Sequence, residues 1–251
     1  MIYFVGAGAG DPELLTIKGK KLIDSADVII YAGSLVNPEI LRDAKSGCEI
    51  YDSSGMTLEE VLQIMQNAEQ NQKTTVRVHT GDPSLYGAIR EQLDALDGMG
   101  ISHEVIPGVS SFLAAAAALQ KEYTLPDVSQ TVILTRMEGR TPVPESESIE
   151  ELAKHQATMI IFLSVGRIQE LAEKLCTGYP KETPVAVVYK ASWKDQKIIT
   201  GTLETIAEKV RQAGITKTAL VTVGNFLGDA YSLSKLYDRH FTHGFRQGIA
   251  E

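Results

Sequence analysis

The chain has 251 residues, 43% of them hydrophobic, and a formal net charge of -8 at pH 7. This length and apolar content suit one large or two smaller globular domains and argue against wholesale disorder. The acidic balance argues against binding to bulk nucleic acid or to an anionic membrane surface, so we expect neither partner.

Cysteine usage and the first residues indicate the compartment. Cys48 and Cys176 lie far apart and form no CxxC pair, which is typical of a reducing cytoplasm and provides neither a disulfide framework nor a structural zinc site. Residues 1–5 lack a basic stretch and run directly into glycines, which predicts a first strand rather than a signal peptide. No apolar run approaches the ~20 residues of a membrane span. We therefore expect a cytoplasmic protein.

A glycine-rich turn at residues 6–12 follows the first predicted strand and precedes a predicted helix over about residues 13–25. Glycines in this position let a ligand approach the backbone, as in dinucleotide-binding proteins. Two features argue against NAD. Asp11 lies where GxGxxG needs its third glycine and would repel a pyrophosphate. The next strand, residues 27–31, is not followed by the acid that would hold a ribose hydroxyl.

A second turn follows a β-branched run at residues 76–79, which predicts a strand. Between the first and second turns the sequence predicts a short helix at 38–45 and a capping box from Thr57 to Glu60. The turn is Gly-Asp-Pro, in which glycine allows a close backbone approach and aspartate can accept from local amides. A predicted helix over residues 88–96 completes a strand–turn–helix unit. Such turns form the ligand-binding carboxyl edge of open α/β sheets, although an ordinary connecting loop is the alternative.

A third glycine-containing turn, residues 107–111, follows a predicted strand at 103–106 and leads into an alanine-rich helix. Ser110 and Ser111 could cap this helix with their hydroxyls toward a ligand, or the small side chains could serve close helix–sheet packing alone. If the three strands are parallel neighbours, all three turns meet at one sheet edge. That convergence is more specific than any single turn.

The second half of the chain predicts a mixed α/β domain. Residues 123–130 are interpreted as a linker, which divides the chain into domains 1–122 and 123–251. The loop at 137–148 is long enough to indicate function, and residues 197–200 are expected to return antiparallel to the preceding strand. The predicted strands are 131–136, 158–163, 184–190, 197–200 and 219–223, and the predicted helices are 149–155, 167–175 and 203–213.

Three histidines have competing interpretations. His79 lies in a strand beside the predicted site, where it could act as a base near neutral pH or simply pack, and packing is favoured. His240 and His243 form His-x-x-His in a polar tail, where a surface position is favoured over a metal site. The sequence has no GxSxG elbow and no Walker lysine. No side chain is identified as a catalytic base, so the catalytic residues are unknown.

Together the motifs resemble the tetrapyrrole (corrin/porphyrin) methylases, a family that uses S-adenosylmethionine. The resemblance rests on the opening signature at residues 5–19, on TGDP with the YG that follows at 80–87, and on IPGVSS at 106–111. The family usually has proline where this chain has Ala9. The resemblance covers nearly the whole chain. Three stretches, 130–144, 188–193 and 234–244, are most similar to the members that methylate carbon 11 of precorrin-4 or cobalt-precorrin-4.

The resemblance implies two α/β domains, the first with a mostly parallel sheet and the second with a mixed sheet. It implies S-adenosylmethionine and a tetrapyrrole in a trough between the domains, and a homodimer. Cofactor contacts are implied mainly through the main chain, with Asp82 near the sulfonium or ribose. The implied cofactor residues are Ala9, Thr80, Gly81, Asp82, Leu85, Ser110, Ser111, Leu163 and Ala191.

The implied substrate is a macrocycle rich in carboxylates, one of whose electron-rich carbons attacks the sulfonium methyl. An acidic protein must then gather cations at the site, and guanidinium groups match carboxylates well. The candidates are Arg136, Arg140, Lys190 and Lys194, for which solvated loop charge is the alternative interpretation. Any cobalt would arrive within the substrate, so no protein metal site is expected.

Alternatives to C-11 methylation remain at this stage. Another tetrapyrrole methylase could act at a different ring carbon, for example on precorrin-3 at C-17 or on uroporphyrinogen III. A nicotinamide-dependent oxidoreductase would rest on the first glycine turn only. A non-catalytic tetrapyrrole carrier could have the same fold. Cofactor titration distinguishes the oxidoreductase, and turnover distinguishes the carrier.

Overall fold

A computed structural model describes residues 1–33 and 35–249. The chain forms two compact units, of which the first comprises Met1–Ala115 with Lys190–Gln196. The second comprises Ala116–Tyr189 with Lys197–Glu251. Each unit contains one five-stranded sheet with helices, so the predicted two-part α/β class is confirmed. The predicted boundary at residue 122 and the trough stay predictions.

The first unit is built on a wholly parallel sheet, as predicted. Its strand order is β3-β2-β4-β1-β5, and every neighbouring pair is parallel. The central strands carry apolar residues on both faces because helices cover a parallel sheet on both sides. The strands are β1 Ile2–Gly6, β2 Val28–Tyr31, β3 Glu49–Asp52, β4 Thr75–His79 and β5 His103–Ile106.

Two helices of the first unit begin later than the sequence patterns predicted. Pro12–Leu14 forms a 3-10 turn, and Thr16 then has an extended backbone and caps α1 by accepting a hydrogen bond from the Gly19 amide. The predicted helix at 38–45 reduces to a 3-10 turn, Pro38–Leu41. Helix α3 begins after Ala88 because that residue has φ +48°. The helices are α1 Ile17–Ser25, α2 Leu58–Gln70, α3 Arg90–Gly98 and α4 Ser111–Leu119.

The capping box of α2 is confirmed. The Thr57 hydroxyl accepts from the Glu60 amide, and the Glu60 carboxylate accepts from the Thr57 amide at 2.7 Å. Two apolar clusters then pack on opposite faces of the sheet. One includes Phe4, Met65 and Leu96, and the other includes Val5, Val78 and their neighbours. The parallel strands are thereby buried on both sides and hold their carboxyl ends in fixed register.

The second unit has a mixed sheet, as predicted. Its strand order is β6-β7-β10-β8-β9; β6 and β7 are parallel, and the other pairs are antiparallel. Its core contains Met159, Ile161, Val187 and Leu171. The strands are β6 Val132–Arg136, β7 Thr158–Phe162, β8 Pro184–Tyr189, β9 Lys197–Thr202 and β10 Ala219–Val223, and the helices are α5 Ile149–Ala153, α6 Ile168–Leu175 and α7 Ile206–Gln212.

Across the described ranges, none of the helices combines the length and the apolar character needed to cross a membrane.

Candidate functional site

The three glycine turns of the first unit meet, as the sequence predicted. Strand β1 pairs with β4 on one side and with β5 on the other, all in parallel. The Gly8 amide donates to the Gly81 carbonyl at 3.3 Å, and the Gly81 amide donates to the Gly8 carbonyl at 2.9 Å. The Ala7 amide donates to the His79 carbonyl at 2.7 Å. The first and second turns therefore form one hydrogen-bonded surface at the carboxyl edge.

The third turn approaches the other two backbone to backbone. A Cβ placed on Gly6 would lie 2.6 Å from the Cα of Gly108 and 2.6 Å from the Gly81 carbonyl oxygen. A Cβ on Gly108 would lie 2.1 Å from that same oxygen. Gly8 and Gly81 also have φ of +73° and +64°, which glycine adopts without steric cost. Glycine is therefore required because the three turns touch.

Asp82 joins the second turn to the third. One carboxylate oxygen accepts from the Gly108 amide at 2.8 Å, and the other accepts from the Ser84 amide at 2.9 Å and from the Ser84 hydroxyl. Partial burial raises the pKa of this carboxyl, but the hydrogen bonds from Ser84 and Gly108 outweigh burial and hold the pKa below its ordinary value. The ionised Asp82 carboxylate therefore links the second turn to the third, and we call this link the latch. A contact of Asp82 with a sulfonium or ribose stays a prediction.

Replacing Asp82 by asparagine is expected to destabilise the fold by about 1.5–3 kcal/mol, because an amide nitrogen cannot accept hydrogen bonds and one of the two turns loses its acceptor. The affinity for S-adenosylhomocysteine should fall with it. Urea unfolding and calorimetric titration measure the two effects. Asp94→Asn is the matched control, since Asp94 is an exposed partner of Arg90 on α3 and its loss should cost no more than about 0.5 kcal/mol. Equal effects of the two substitutions would contradict the latch.

The described part of the site includes a buried hydroxyl that lacks a protein partner. The Oγ1 atom of Thr80, directly after β4, is buried without a hydrogen bond. Buried polar atoms in folded proteins are nearly always hydrogen-bonded, so this hydroxyl is available to a polar group of a ligand or to a water. Ser110 is buried at the third turn, and Ser111 begins α4. Thr80 and the glycine backbone therefore fit a cofactor that is recognised mainly by main-chain groups.

The turn at Lys190–Gln196 belongs to the first unit. It places buried Ala191 in the same unit as Ala9. The indole Nε1 of Trp193 donates to the Ala9 carbonyl at 3.1 Å, and the Asp11 amide donates to the Ser192 hydroxyl at 3.0 Å. The sequence patterns identified this segment as a hairpin turn, and the resemblance implied Ala191 as a cofactor residue and Lys190 and Lys194 as substrate residues. Trp193 and Ser192 were missed because their partners lie about 180 residues away in sequence.

Leu163 is the one predicted cofactor residue that lies in the second unit. It directly follows β7, is 71% exposed and has φ +55°. A leucine in the left-handed region is uncommon, and such backbone strain concentrates at functional sites. The eight other predicted cofactor residues belong to the first unit, and their contacts with a cofactor stay predictions; they are Ala9, Thr80, Gly81, Asp82, Leu85, Ser110, Ser111 and Ala191.

The predicted substrate cations have different environments. In the first unit Lys190 pairs with Asp195 at 2.6 Å, and Lys194 pairs with Glu39 at 2.9 Å. Both lysines are therefore engaged by carboxylates in this structure. The substrate contacts of these two residues stay predictions.

The two predicted arginines lie in the second unit. Arg136 donates to the Thr141 and Pro142 carbonyls at 3.2 and 2.8 Å, which holds the loop after β6. Arg140 is exposed on that loop and lines an open cleft of about 370 Å³. Arg136 thus supports the loop that carries the exposed Arg140, and the substrate contacts of both arginines stay predictions.

The histidines have structural environments. His79 is 5% exposed and stacks on Phe4 with ring centroids 5.9 Å apart, which confirms the packing interpretation. His240 is exposed, and His243 is half-buried. Among the residues that the structure describes, no three His, Cys, Asp or Glu side chains gather in a group that could hold a metal ion.

The first unit has the architecture of α/β proteins that bind a ligand at the carboxyl edge of a parallel sheet. Its three glycine turns are in backbone contact at that edge. Residues 1–207 match the family model of the Tetrapyrrole (Corrin/Porphyrin) Methylases, and the chain belongs to this family. Membership in a methylase family argues against the nicotinamide-dependent alternative.

Similar proteins cover the chain almost completely. A cobalt-precorrin-4 C(11)-methyltransferase from Methanocaldococcus jannaschii is 58% identical over 98% of this chain and 96% of its own. The X-ray structure of a cobalt precorrin-4 methyltransferase, a cobalamin biosynthetic enzyme, matches with a TM-score of 0.89 and 46% identity, covering 91% of this chain and 96% of that one. A uroporphyrin-III C-methyltransferase from Thermus thermophilus, complexed with S-adenosylhomocysteine, matches with a TM-score of 0.77 and 28% identity, covering 90% and 98%.

Proposed function

We propose that the chain transfers a methyl group from S-adenosylmethionine to carbon 11 of precorrin-4, or of its cobalt complex, in cobalamin biosynthesis. The observation that carries this proposal is the 58% identity over 98% of the chain to a C(11)-methyltransferase. The matched uroporphyrin enzyme has the same fold at only 28% identity. The contrast supports C-11 methylation over methylation at another ring carbon. The product is precorrin-5 or its cobalt complex.

The three fused turns would hold the cofactor in the first unit. Gly8 and Gly81 leave their backbones open to close approach, and the orphaned Thr80 hydroxyl can bond to a polar group of the ligand. When bound, S-adenosylmethionine supplies a sulfonium methyl that an electron-rich ring carbon can attack. The chain's own residues contribute orientation, which is worth up to about 7–11 kcal/mol in favourable cases. No proton relay is assigned to any side chain.

Calorimetric titration with S-adenosylhomocysteine, with NAD as the parallel control, tests the cofactor. We expect one site per chain and no NAD signal. Incubation with precorrin-4 and S-adenosylmethionine, followed by mass spectrometry and NMR of the product, tests the reaction. A single added methyl at C-11 is expected. Methylation at another carbon would overturn the regiochemistry, and binding without turnover would favour a carrier.

Substitution of the two arginines tests substrate binding in the second unit. Arg140→Ala removes an exposed charge without touching the loop carbonyls, and we expect it to raise the KM for the tetrapyrrole about tenfold while leaving S-adenosylhomocysteine affinity unchanged. Arg136→Ala should raise the KM further because the loop also loses its support. Arg211→Ala, at an exposed site on α7, is the control. An unchanged KM in the double variant would remove both arginines from the site.

We also propose a homodimer in the cytoplasm. The dimer is supported by the family resemblance, and the compartment is supported by Cys48 and Cys176, which are both free thiols. Light scattering coupled to size-exclusion chromatography measures the assembly, and a single species of twice the 27.3 kDa chain mass is expected. A monomer at micromolar concentration would contradict the dimer.

A further inference from the structure

The backbone groups of the first glycine loop form hydrogen bonds with side chains that lie far away in sequence. The Ala9 carbonyl accepts from the Trp193 indole at 3.1 Å, and the Asp11 amide donates to the Ser192 hydroxyl at 3.0 Å. Between them, the Gly10 carbonyl accepts from the Asn37 side chain at 2.8 Å. Each of these three consecutive loop residues thus has a backbone hydrogen bond with a side chain outside the loop.

The indole also determines which residue can stand at the centre of this loop. A Cβ on Gly10 would lie 2.0 Å from the Nε1 atom of Trp193 and 2.1 Å from its Cδ1 atom. Gly10 has φ +147°, a conformation that side chains rarely adopt. The ring therefore lies directly against the loop backbone, in the space that a side chain would fill. The Trp193 ring can pack here only because residue 10 is glycine.

The turn that carries the indole is itself well ordered. The Ser192 amide donates to the Gln196 side chain at 2.8 Å, and the Trp193 amide donates to the Lys190 carbonyl at 3.0 Å. The Lys190 ammonium lies 5.0 Å from the centroid of the indole ring, within cation–π range, and it pairs with Asp195. These contacts within the turn fix the position of the ring against the loop.

We propose that Trp193 is a positioning residue that holds the loop Ala9–Asp11 in the conformation that binds S-adenosylmethionine. This inference rests on the proposed function. A loop with glycine at alternate positions has many accessible conformations when free, and ordering it on binding would cost conformational entropy. The hydrogen bond from the indole orders the loop before the ligand arrives. Trp193 therefore acts on cofactor affinity through Ala9, without contacting the reacting atoms.

Trp193→Phe removes the Nε1–H donor and keeps an aromatic ring on Gly10. We expect the Kd for S-adenosylhomocysteine to rise about three- to tenfold, which corresponds to the loss of one hydrogen bond. The KM for S-adenosylmethionine should rise by a similar factor, with smaller effects on kcat and on the tetrapyrrole KM. Lys197→Ala, an exposed change at the start of β9, controls for mutation of the same hairpin. A tryptophan that only stabilised the fold would lower Tm without this selective change in cofactor affinity.

The native chain supplies its own probe because Trp193 is its single tryptophan. Selective excitation of the indole during a titration with S-adenosylhomocysteine should give a saturable change in emission with the Kd measured by calorimetry. Binding without any change in emission, together with an unchanged Kd in Trp193→Phe, would overturn the inference.

A double-mutant cycle tests the contact with Gly10. Gly10→Ala alone should weaken binding strongly, since the new Cβ would displace the indole. Combined with Trp193→Ala, it should weaken binding by much less than the product of the single effects, because the clash is gone. If the two single effects on the Kd simply multiply, or if Trp193→Phe leaves the Kd unchanged, the inference is overturned. The proposed function still stands in that case, provided that the native chain binds S-adenosylhomocysteine. Failure of the native chain to bind S-adenosylhomocysteine would overturn both.

Discussion

Replacing Gly108 by alanine is expected to cost about 3 kcal/mol of unfolding free energy and to abolish measurable binding of S-adenosylhomocysteine. The added Cβ would lie 2.1 Å from the Gly81 carbonyl oxygen and 2.7 Å from the Cα of Gly6. Both neighbours are backbone atoms, so no side chain can rotate to make room, and two turns must separate. Urea unfolding and calorimetry measure the two losses. The separation breaks the Asp82–Gly108 latch as well.

Gly98→Ala is the matched control for the same chemical change. Gly98 is the last residue of α3, is exposed, and a Cβ placed on it would meet no atom within 4 Å. Alanine should stabilise the chain there by about 0.5–1 kcal/mol because it favours the helix and restricts the unfolded chain. If Gly108→Ala retained native stability and affinity, the three turns would not be in contact.

Stability is expected to fall as the pH is lowered from about 6.5 toward 3, and His79 should contribute a large part of that fall. Burial, followed by the nearby charge of Arg77, lowers the pKa of His79 from 6.5 to about 3. Between those values the unfolded chain binds a proton that the folded chain does not, so acid favours unfolding. The contribution reaches at most roughly 4–5 kcal/mol at the acid end of the window.

His79→Phe should reduce the pH dependence of the unfolding free energy, because close to one fewer proton is taken up on unfolding. The stability at pH 7 should be unchanged or higher. The Nε2 atom of His79 is buried without a partner, so an apolar ring loses no hydrogen bond there and can keep the stacking on Phe4. Urea unfolding at a series of pH values measures the slope. His155→Gln, at an exposed position, is the control. An identical acid slope in His79→Phe and in the native chain would show that His79 does not carry this dependence.

Much of the first unit could be predicted from local patterns. Val76 and Val78 belong to a β-branched strand, and the Gly-Asp-Pro turn after it ends that strand as expected. The Thr57 capping box could be predicted because its two partners are three residues apart. The convergence of the turns also followed once parallel neighbours were assumed. Helix starts were less well predicted, because Thr16 and Ala88 take non-helical backbone angles that propensity alone does not reveal.

The residues that the sequence proposes for the candidate site belong to motifs that carry their information within a few positions. Thr80, Gly81 and Asp82 belong to one such motif, and Ser110 and Ser111 belong to another. The bonds that order these motifs could not be predicted in the same way. Asp82 accepts from Gly108, 26 residues later, and Trp193 donates to Ala9 across 184 residues. Nothing local to either residue specifies such a partner.

The fold class and the meeting of the three glycine turns followed from the amino-acid sequence, because strand periodicity and turn chemistry act over a few neighbouring residues. The family was indicated by the resemblance of its motifs and is shown by the family model. The burial of each polar residue depended instead on how distant segments pack. Arg77 and His79 alternate with valines in β4, and this alternation alone does not say whether their face meets water or a helix. Because β4 lies between β1 and β2, both are buried, and Arg77 bonds to the Ile30 carbonyl and the Ser53 hydroxyl at 3.3 and 2.9 Å. Position in the sheet is set by contacts between distant segments, which no short stretch of sequence contains.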